Sequence, residues 1–445
     1  MSSSAVAASA TTVPAELRRT FLHLYLDIAW FGVLNGSAIA FVAVYAARQG
    51  ANGFQIGLLN AAPAIVAILA TLPAGRWLEY RPIGPAVFWT SVLHRAVYLS
   101  WVFLPLLLLP SGQVWALILL TLLMSIPGTV LAVGFNAMFA TAVPPEWRGQ
   151  VVGTRNALLA ISFMITSVVC GLLLEWLPFP LGYQVVFALG FVGGAASSFH
   201  LWFVGQATNF PPVARQNGGS LGEFARPGLS RGWGDGLRAM VGLRFLTRAR
   251  GMKLLRLEIW RGPFAPFLAV LFFFHLAQFL AIPIFPLFWV QELGLSDMSI
   301  SLGNGLFYLA ALIGSTQLGR LTKRWGNYQL SLMGTAVICF YPLLMALSWD
   351  ATLFWVASFV GGFALPLIGG ALGNYLLERI PEDDRPAHLA WYTLTLNTAV
   401  LGGSLLGSVI GGWLGLRLAL FLFTGLRLLG AVVFWRWGKP VDSNQ

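Results

Sequence analysis

The chain has 445 residues, of which 57% are hydrophobic and 10% are charged, against roughly 45–50% and 25% in ordinary soluble domains. This composition excludes a soluble globular protein, and apolar runs of about 20 residues, enough to span a bilayer as a helix, recur along the chain. The net charge of +11 does not indicate a nucleic-acid partner, because the cations lie between apolar segments rather than along one polar face. We therefore expect a multi-pass protein of the lipid bilayer.

The first segment, residues 1–20, reads MSSSAVAASATTVPAELRRT. It lacks the basic start and the apolar centre of a cleavable signal peptide, so we interpret it as a cytoplasmic tail. A Ser-rich transit peptide is the alternative.

Twelve apolar runs follow and predict an all-α protein with twelve transmembrane helices. Connection 205–261 is the longest and divides them into two pseudo-symmetric six-helix bundles, at 21–204 and 262–438, with a short tail at 439–445. The expected spans are 21–47, 54–75, 84–109, 114–142, 151–177, 181–204, 264–290, 298–318, 328–348, 351–377, 388–414 and 416–435.

Alternate connections differ in charge, which predicts the orientation. With the amino terminus inside, 23 of the 27 Lys and Arg residues lie on the inner side, and only Arg48 and Arg417 lie in outer connections. This excess of inner cations predicts that the protein lies in the cell membrane with both of its termini in the cytoplasm. Within the long connection, Arg244, Arg248 and Arg256 recur among apolar residues. They favour a basic amphipathic helix on the inner leaflet, although a solvated basic linker fits equally well.

Ionisable residues inside spans are rare and point to function. Asp27 is the one acid that lies clearly within a span. At 1.5 Å per residue from the nearest inner-edge arginine, Asp27 lies roughly 12 Å deep, Arg155 roughly 10 Å and Arg95 roughly 21 Å. Depth therefore favours Asp27 pairing with Arg155. A carboxylate that gains and loses a cationic partner suits proton coupling; a static ion pair at the inner gate and an accident of topology are the alternatives.

An internal repeat joins the two halves. With an offset of 244 residues, segment 54–81 aligns with segment 298–325 without a gap, and Asn60, Gly75 and Arg76 coincide with Asn304, Gly319 and Arg320. A second similarity between the halves pairs VPPEWRGQ at 143–150 with IPEDDRPA at 380–387. Two parallel six-helix halves with a long connection are typical of secondary transporters, whose substrate site lies between the halves near the midplane.

On these residues the chain resembles the major facilitator superfamily over essentially its whole length. That family carries a glycine, acid and cation signature after its second helix, and both halves hold incomplete copies. Tyr80 stands where a cation is expected and Lys323 where an acid is expected. The resemblance implies an inner gate in which Glu79 interacts with the positive end of a facing helix and Lys323 seeks an acid such as Glu146 or a lipid phosphate. Alternatively, the cations of this gate only fix the orientation of the helices in the membrane. The gate residues are Gly75, Arg76, Glu79, Arg81, Gly319, Arg320, Lys323, Arg324 and Gly326.

The resemblance also implies that helices 1, 4, 7 and 10 line a central cavity. Among the candidates, His275 and Gln278 are three residues apart and share one helix face, although a membrane histidine more often bonds to a neighbouring helix. Asn397 lies on helix 11. The cavity candidates are Asn35, Asn136, His275, Gln278, Asn374 and Asn397.

We therefore expect a secondary active transporter that moves a small neutral or amphiphilic solute by alternating access, with proton-coupled efflux as one mode. A non-transporting membrane receptor or assembly factor on the same fold is the alternative. The sequence contains no recognisable nucleophile constellation, phosphate-binding loop or metal-ligand cluster that would indicate an enzyme. Cys170 and Cys339 lie in apolar runs. We expect no cofactor, no metal and a monomer.

Overall fold

The structure is a computed structural model and describes residues 13–207, 257–381 and 385–439. Within these ranges it contains eleven helical runs that are long and apolar enough to cross a membrane. One run, Asp297–Leu347, has 51 residues, about twice what one crossing needs. Gly326 interrupts it with a φ of 77°, so it forms two helices and the described ranges hold twelve. The proposed amphipathic helix of the linker lies outside the described residues.

The twelve helices follow the predicted order and are numbered α1–α12. Their bounds are α1 Ala15–Arg48, α2 Gly53–Glu79, α3 Ile83–Leu107, α4 Pro110–Ala142, α5 Pro145–Trp176, α6 Leu181–Ala207, α7 Ala265–Glu292, α8 297–325, α9 327–347, α10 Ala351–Arg379, α11 Arg385–Leu414 and α12 Leu416–Trp437.

Several helices are longer than their apolar runs. Helix α1 begins at Ala15, inside the expected tail, and α8 continues past the predicted end at 318. A helix keeps its backbone hydrogen bonds beyond the hydrocarbon core, so charged side chains sit on its last turns and reach the headgroups. The chain therefore reverses at Gly326, where the positive φ suits glycine, and not at Gly319.

Helices α1–α6 and α7–α12 form two halves, each with its own apolar core. They meet along two seams, α2 against α11 and α5 against α8, which the internal repeat relates to each other. We call the side where α1 begins and α12 ends the terminal face. The opposite face carries connections 49–52 and 293–296.

Small residues line both seams toward the opposite face. A Cβ on Gly57 would lie 2.6 Å from the backbone oxygen of Ser404, and one on Gly171 would lie 2.5 Å from the Cβ of Ser301. Glycine therefore allows these helix backbones to approach closely, as at other membrane helix interfaces.

Three helices depart from regular α geometry. Wide π-helical turns occur at Asn35–Ile39 in α1, Phe288–Glu292 in α7 and Leu367–Leu372 in α10. The turn in α10 follows Pro366, and Pro283 interrupts α7. Such turns occur often at functional sites, and here they fall in three of the four helices expected to line the cavity.

Candidate functional site: a buried ion cluster between two seams

An ion pair joins α1 to α5 inside the first half. Both terminal nitrogens of the Arg155 guanidinium donate to Oδ2 of Asp27 at 3.1 Å, and one of them also donates to the backbone oxygen of Leu24 at 2.5 Å. Both side chains are buried. The guanidinium also lies 4.9 Å from the ring centre of Phe135 on α4. The expected pairing of Asp27 with Arg155 is therefore present in the structure.

A second arginine and two serines complete the cluster. Arg95 of α3 lies 3.9 Å from Oδ1 of Asp27, and Ser197 of α6 donates to the same oxygen at 2.5 Å. Arg95 also donates to Ser198 at 2.9 Å. Depth alone had separated Arg95 from Asp27, but a long arginine side chain and the packing of α3 on α6 bring them together. The serines had no sequence signal beyond their small size.

This arrangement ties four helices, α1, α3, α5 and α6, to one carboxylate. Asp27 is the one acid among the buried residues that the structure describes. Because a buried carboxylate is costly unless it is paired and hydrogen-bonded, its three partners, Arg95, Arg155 and Ser197, explain how it is tolerated. The cluster of Asp27, Arg95 and Arg155 has a net charge of +1 when all three groups are ionised.

A buried arginine of the second half has no carboxylate partner among the described residues. Arg427 of α12 is 4% exposed and donates to the backbone oxygens of Gln278 at 2.7 Å and Ile338 at 3.3 Å. Pro342 lies four residues after Ile338 and has no N–H to donate to that oxygen. Arg427 therefore joins α7 and α9 beside two proline breaks, a role that the sequence did not reveal.

The amide side chains expected in the cavity mostly form hydrogen bonds within their own helix or with a neighbouring helix. Asn35 and Asn397 donate to backbone oxygens of their own helices, at Phe31 and Thr393, both at 2.9 Å. The amide nitrogen of Asn374 lies 3.5 Å from the side-chain oxygen of Asn327 on α9. Asn136 is half-buried on α4.

His275 and Gln278 differ in their surroundings. Nε2 of His275 lies 3.3 Å from the hydroxyl of Tyr392 on α11, which agrees with the interhelical alternative. Gln278 is half-buried, and its side-chain amide has no hydrogen-bond partner among the described residues. It is the most available polar group of the predicted cavity set.

The predicted gate residues lie at the terminal ends of α2 and α8. Arg76, Arg81, Arg320, Lys323 and Arg324 are exposed, while Gly75 is buried and Gly319 half-buried. Arg81 lies over the ring of Trp77 at 4.5 Å. The expected contact of Lys323 with Glu146 is not among the ion pairs of the described residues, and the side chain of Glu79 lies outside what the structure describes.

Polar contacts between the halves occur at the opposite face. A guanidinium nitrogen of Arg48 lies 2.8 Å from Oδ1 of Asp297, and the hydroxyl of Tyr183 donates to the same oxygen at 2.8 Å. Arg48 also donates to the backbone oxygen of Leu295 at 2.7 Å. Sequence reasoning missed this group, although Arg48 was one of two cations on the side that is poor in them.

An aromatic pair closes the α5–α8 seam about halfway through the molecule. The rings of Phe163 and Tyr308 stack with their centres 3.6 Å apart and their planes 20° apart. Tyr308 lies eleven residues after Asp297, or about 16 Å along α8. Contacts between α5 and α8 therefore run from the opposite face to mid-membrane depth, while the cations at the terminal end of α8 are exposed.

Metal binding has no support in these ranges. No group of three or more His, Cys, Asp or Glu side chains lies together among the described residues.

Comparisons with known proteins agree with this architecture. The sequence model of the Major Facilitator Superfamily matches residues 267–445. A curated relative from Lactococcus lactis subsp. lactis (strain IL1403), described as a multi-drug resistance efflux pump PmrA homolog, is 22% identical over 89% of this chain and 90% of its own.

Solved structures show the same fold. A bacterial homologue of the iron transporter ferroportin in its inward-facing state is 16% identical, with a TM-score of 0.69 over 97% of this chain and 100% of its own. Its outward-facing state is 17% identical, with a TM-score of 0.55 over 96% and 100%.

Two six-helix halves that meet at two related seams, with buried ionisable groups in each half, form the multi-helix membrane fold that these solved structures share. Residues 267–445 match the sequence model of the Major Facilitator Superfamily, and the chain as a whole has the fold of the transporter structures that it resembles.

Proposed function

We propose that the protein is a secondary active transporter that moves a small neutral or amphiphilic solute across the cell membrane by alternating access. The observation that carries this proposal is the unequal contact between the halves. The Arg48–Asp297 pair, the glycine contacts and the Phe163–Tyr308 stack hold the opposite face and the centre together. Rocking of the halves about a central site would exchange this closure for one at the terminal face.

The terminal face is cytoplasmic in this proposal, because it carries the excess of Lys and Arg. The conformation is then closed to the outside. Attachment of a membrane-impermeant thiol reagent to a cysteine placed at Ser111 or Gln291, both exposed at the opposite-face ends of α4 and α7, tests the orientation in intact cells. Labelling from outside supports it, and labelling only after lysis contradicts it.

Export is the proposed direction, and a proton gradient is the proposed energy source. The name of the curated relative supports efflux, and Asp27 supports proton coupling, since it is the one buried carboxylate among the described residues and joins helices within the first half. Protonation of Asp27 would release the bidentate contact of Arg155 and so link proton binding to the packing of α1 on α5. A static pair that only holds the helices together remains the competing role.

Proteoliposomes test transport and coupling together. The purified protein is reconstituted, and flux of a solute panel is measured with and without an imposed pH gradient. Transport predicts flux that exceeds empty vesicles, and proton coupling predicts that the gradient accelerates it. Asp27→Asn should keep downhill flux but lose the gradient's effect; Glu175→Gln, an exposed acid on α5, is the matched control. Binding of a solute without any flux would favour a receptor.

A further inference from the structure

The buried charges of the two halves are unbalanced in sign. Four arginines are among the buried residues that the structure describes, against one carboxylate, Asp27. The four are Arg95, Arg148, Arg155 and Arg427. Arg148 lies near the terminal end of α5 and bonds to the backbone oxygens of Ala140 and Val143, while the other three lie deeper in the membrane region. The deeper set, Arg95, Arg155 and Arg427 with Asp27, carries a net charge of +2.

Asp27 is not available as a counter-ion for a cationic solute. Its Oδ2 is occupied by Arg155, and its Oδ1 accepts from Ser197 and lies 3.9 Å from Arg95. A cation that recruited this carboxylate would leave two buried guanidinium groups without their anion. Breaking a buried pair in this way is strongly unfavourable.

Arg427 adds a positive potential that carbonyl dipoles only partly offset. Its Nε has no hydrogen-bond partner, and it contacts the backbone of Gln278, the polar residue of α7 whose side chain is most available. A solute that passes beside α7 therefore travels next to an arginine and neutral amides. Among the described residues of α7, α8 and α10, the acids lie at the ends, at Glu292, Asp297 and Glu378.

We propose that these buried arginines make the transport path select against cations, so that the solute is an uncharged or anionic amphiphile. This inference rests on the proposed transport function and specifies the charge of its substrate. An unbalanced unit charge about 10 Å away, at an effective dielectric constant near 20, lowers the occupancy of a monovalent cation about tenfold. Two such charges act in the same direction.

Three dyes that share a xanthene ring and differ in net charge test which sign of charge the transport path excludes. Rhodamine 123 is the cation, an uncharged rhodol ester the neutral solute and fluorescein the anion. In proteoliposomes we expect flux of the rhodol ester to exceed that of rhodamine 123 by about tenfold or more, after subtraction of each dye's leak through empty vesicles. Equal carrier-dependent flux of the cation and the neutral dye overturns the inference.

A substitution that changes the interior charge gives the second arm. Gln278→Glu keeps the side-chain size and adds a carboxylate at the α7 residue whose backbone oxygen binds Arg427, so it should raise rhodamine 123 flux relative to the rhodol ester severalfold. Gln329→Glu adds the same charge at an exposed position of α9 and should leave the ratio unchanged. An equal change in both variants contradicts a local effect of the buried arginines.

Binding separates failure of the inference from failure of the transport function. Each dye is added to the purified protein, and the shift in thermal unfolding is measured, since a ligand that binds the folded state raises the melting temperature. Stabilisation by the rhodol ester but not by rhodamine 123, without flux of either, overturns transport and supports charge selection. Equal stabilisation by both dyes overturns charge selection whatever the flux shows. No stabilisation and no flux overturns both.

Discussion

Arg48 at the end of α1 and Asp297 at the start of α8 form an ion pair across the two halves, with 2.8 Å between a guanidinium nitrogen and Oδ1. The side chains are 26% and 14% exposed, so solvent screening limits the pair to about 1 kcal/mol or less. Its location matters more than its strength, because it spans the interface that separates in the proposed alternating-access cycle. A modest bond at this point can adjust the balance between conformations without adding much to the stability of either half.

Removing this pair should open the opposite face more often. Asp297→Asn weakens the contacts with both Arg48 and Tyr183. Cys170 is fully buried beneath this face, so it reports opening when Cys339 is replaced by alanine. We expect thiol labelling of Cys170 to become about three- to fivefold faster, the equivalent of up to about 1 kcal/mol. Glu292→Gln, an exposed acid on the same face, is the control; equal acceleration in both variants would exclude a role for the ion pair.

Asp27→Asn should destabilise the first half strongly. The change leaves Arg95 and Arg155 buried without their anion, which costs about 3–5 kcal/mol. Adding Arg155→Met should recover part of this loss, because it removes one of the stranded cations. The melting temperature of the purified protein measures both effects. Glu175→Gln should have little effect; a melting temperature of the Asp27 variant equal to that of the wild type would show that the cluster carries no stability.

Arg427 and Pro342 should be energetically coupled. Arg427→Met leaves the backbone oxygen of Ile338 without one of its hydrogen bonds, and Pro342→Ala supplies an N–H that can replace it. The loss of stability caused by Arg427→Met should therefore be about 1 kcal/mol smaller in the Pro342→Ala background. A double-mutant cycle of melting temperatures measures the coupling. Arg436→Met, an exposed arginine on the same helix, should show additive behaviour; additivity of Arg427 and Pro342 would contradict the assignment.

Gly326→Ala should strain the turn between α8 and α9. The backbone at this position has a φ of 77° and a ψ of 166°, a conformation that essentially only glycine adopts and that costs a residue with a Cβ about 1–3 kcal/mol. We expect a lower melting temperature or an altered α8–α9 connection, detected by proteolysis in the connection. At Gly149, which lies in helical α5 with open space around it, alanine should be neutral or slightly stabilising because of its helix propensity. Equal melting temperatures for the two variants would show that the turn tolerates a side chain.

The sequence predicted the membrane helices well because lipid imposes a simple rule. Each crossing must satisfy its own backbone hydrogen bonds, so it appears as an apolar run of predictable length. Constant helical rise also made the depths of Asp27 and Arg155 comparable, and the two residues are in contact. The same method separated Arg95 from Asp27, because it measured backbone depth and ignored the reach of the arginine side chain and the packing of α3 on α6.

Contacts between distant segments were beyond the sequence. Arg48 and Asp297 are 249 residues apart, and no local pattern links them. Arg427 lies within the predicted span 416–435, but its binding to carbonyls at two proline breaks depends on how α7, α9 and α12 pack. The amides predicted for the cavity, Asn35 and Asn397, bond within their own helices. Residue type alone cannot distinguish an amide that faces a solute from one that caps its own carbonyl.

The glycine and serine contacts of the seams have a thermodynamic consequence. Where Gly57 meets Ser404 and Gly171 meets Ser301, the helices are in close contact, and in lipid such contact is stabilised by van der Waals packing rather than by burial of apolar surface. Lipid tails can replace part of that packing on separation, so we expect the free-energy difference between contact and separation at these points to be small. A solute needs only a differential affinity of about 2–3 kcal/mol to shift two such states from a tenfold excess of one to a comparable excess of the other. Small side chains at the seam therefore let a weakly bound solute redistribute the conformations of the carrier.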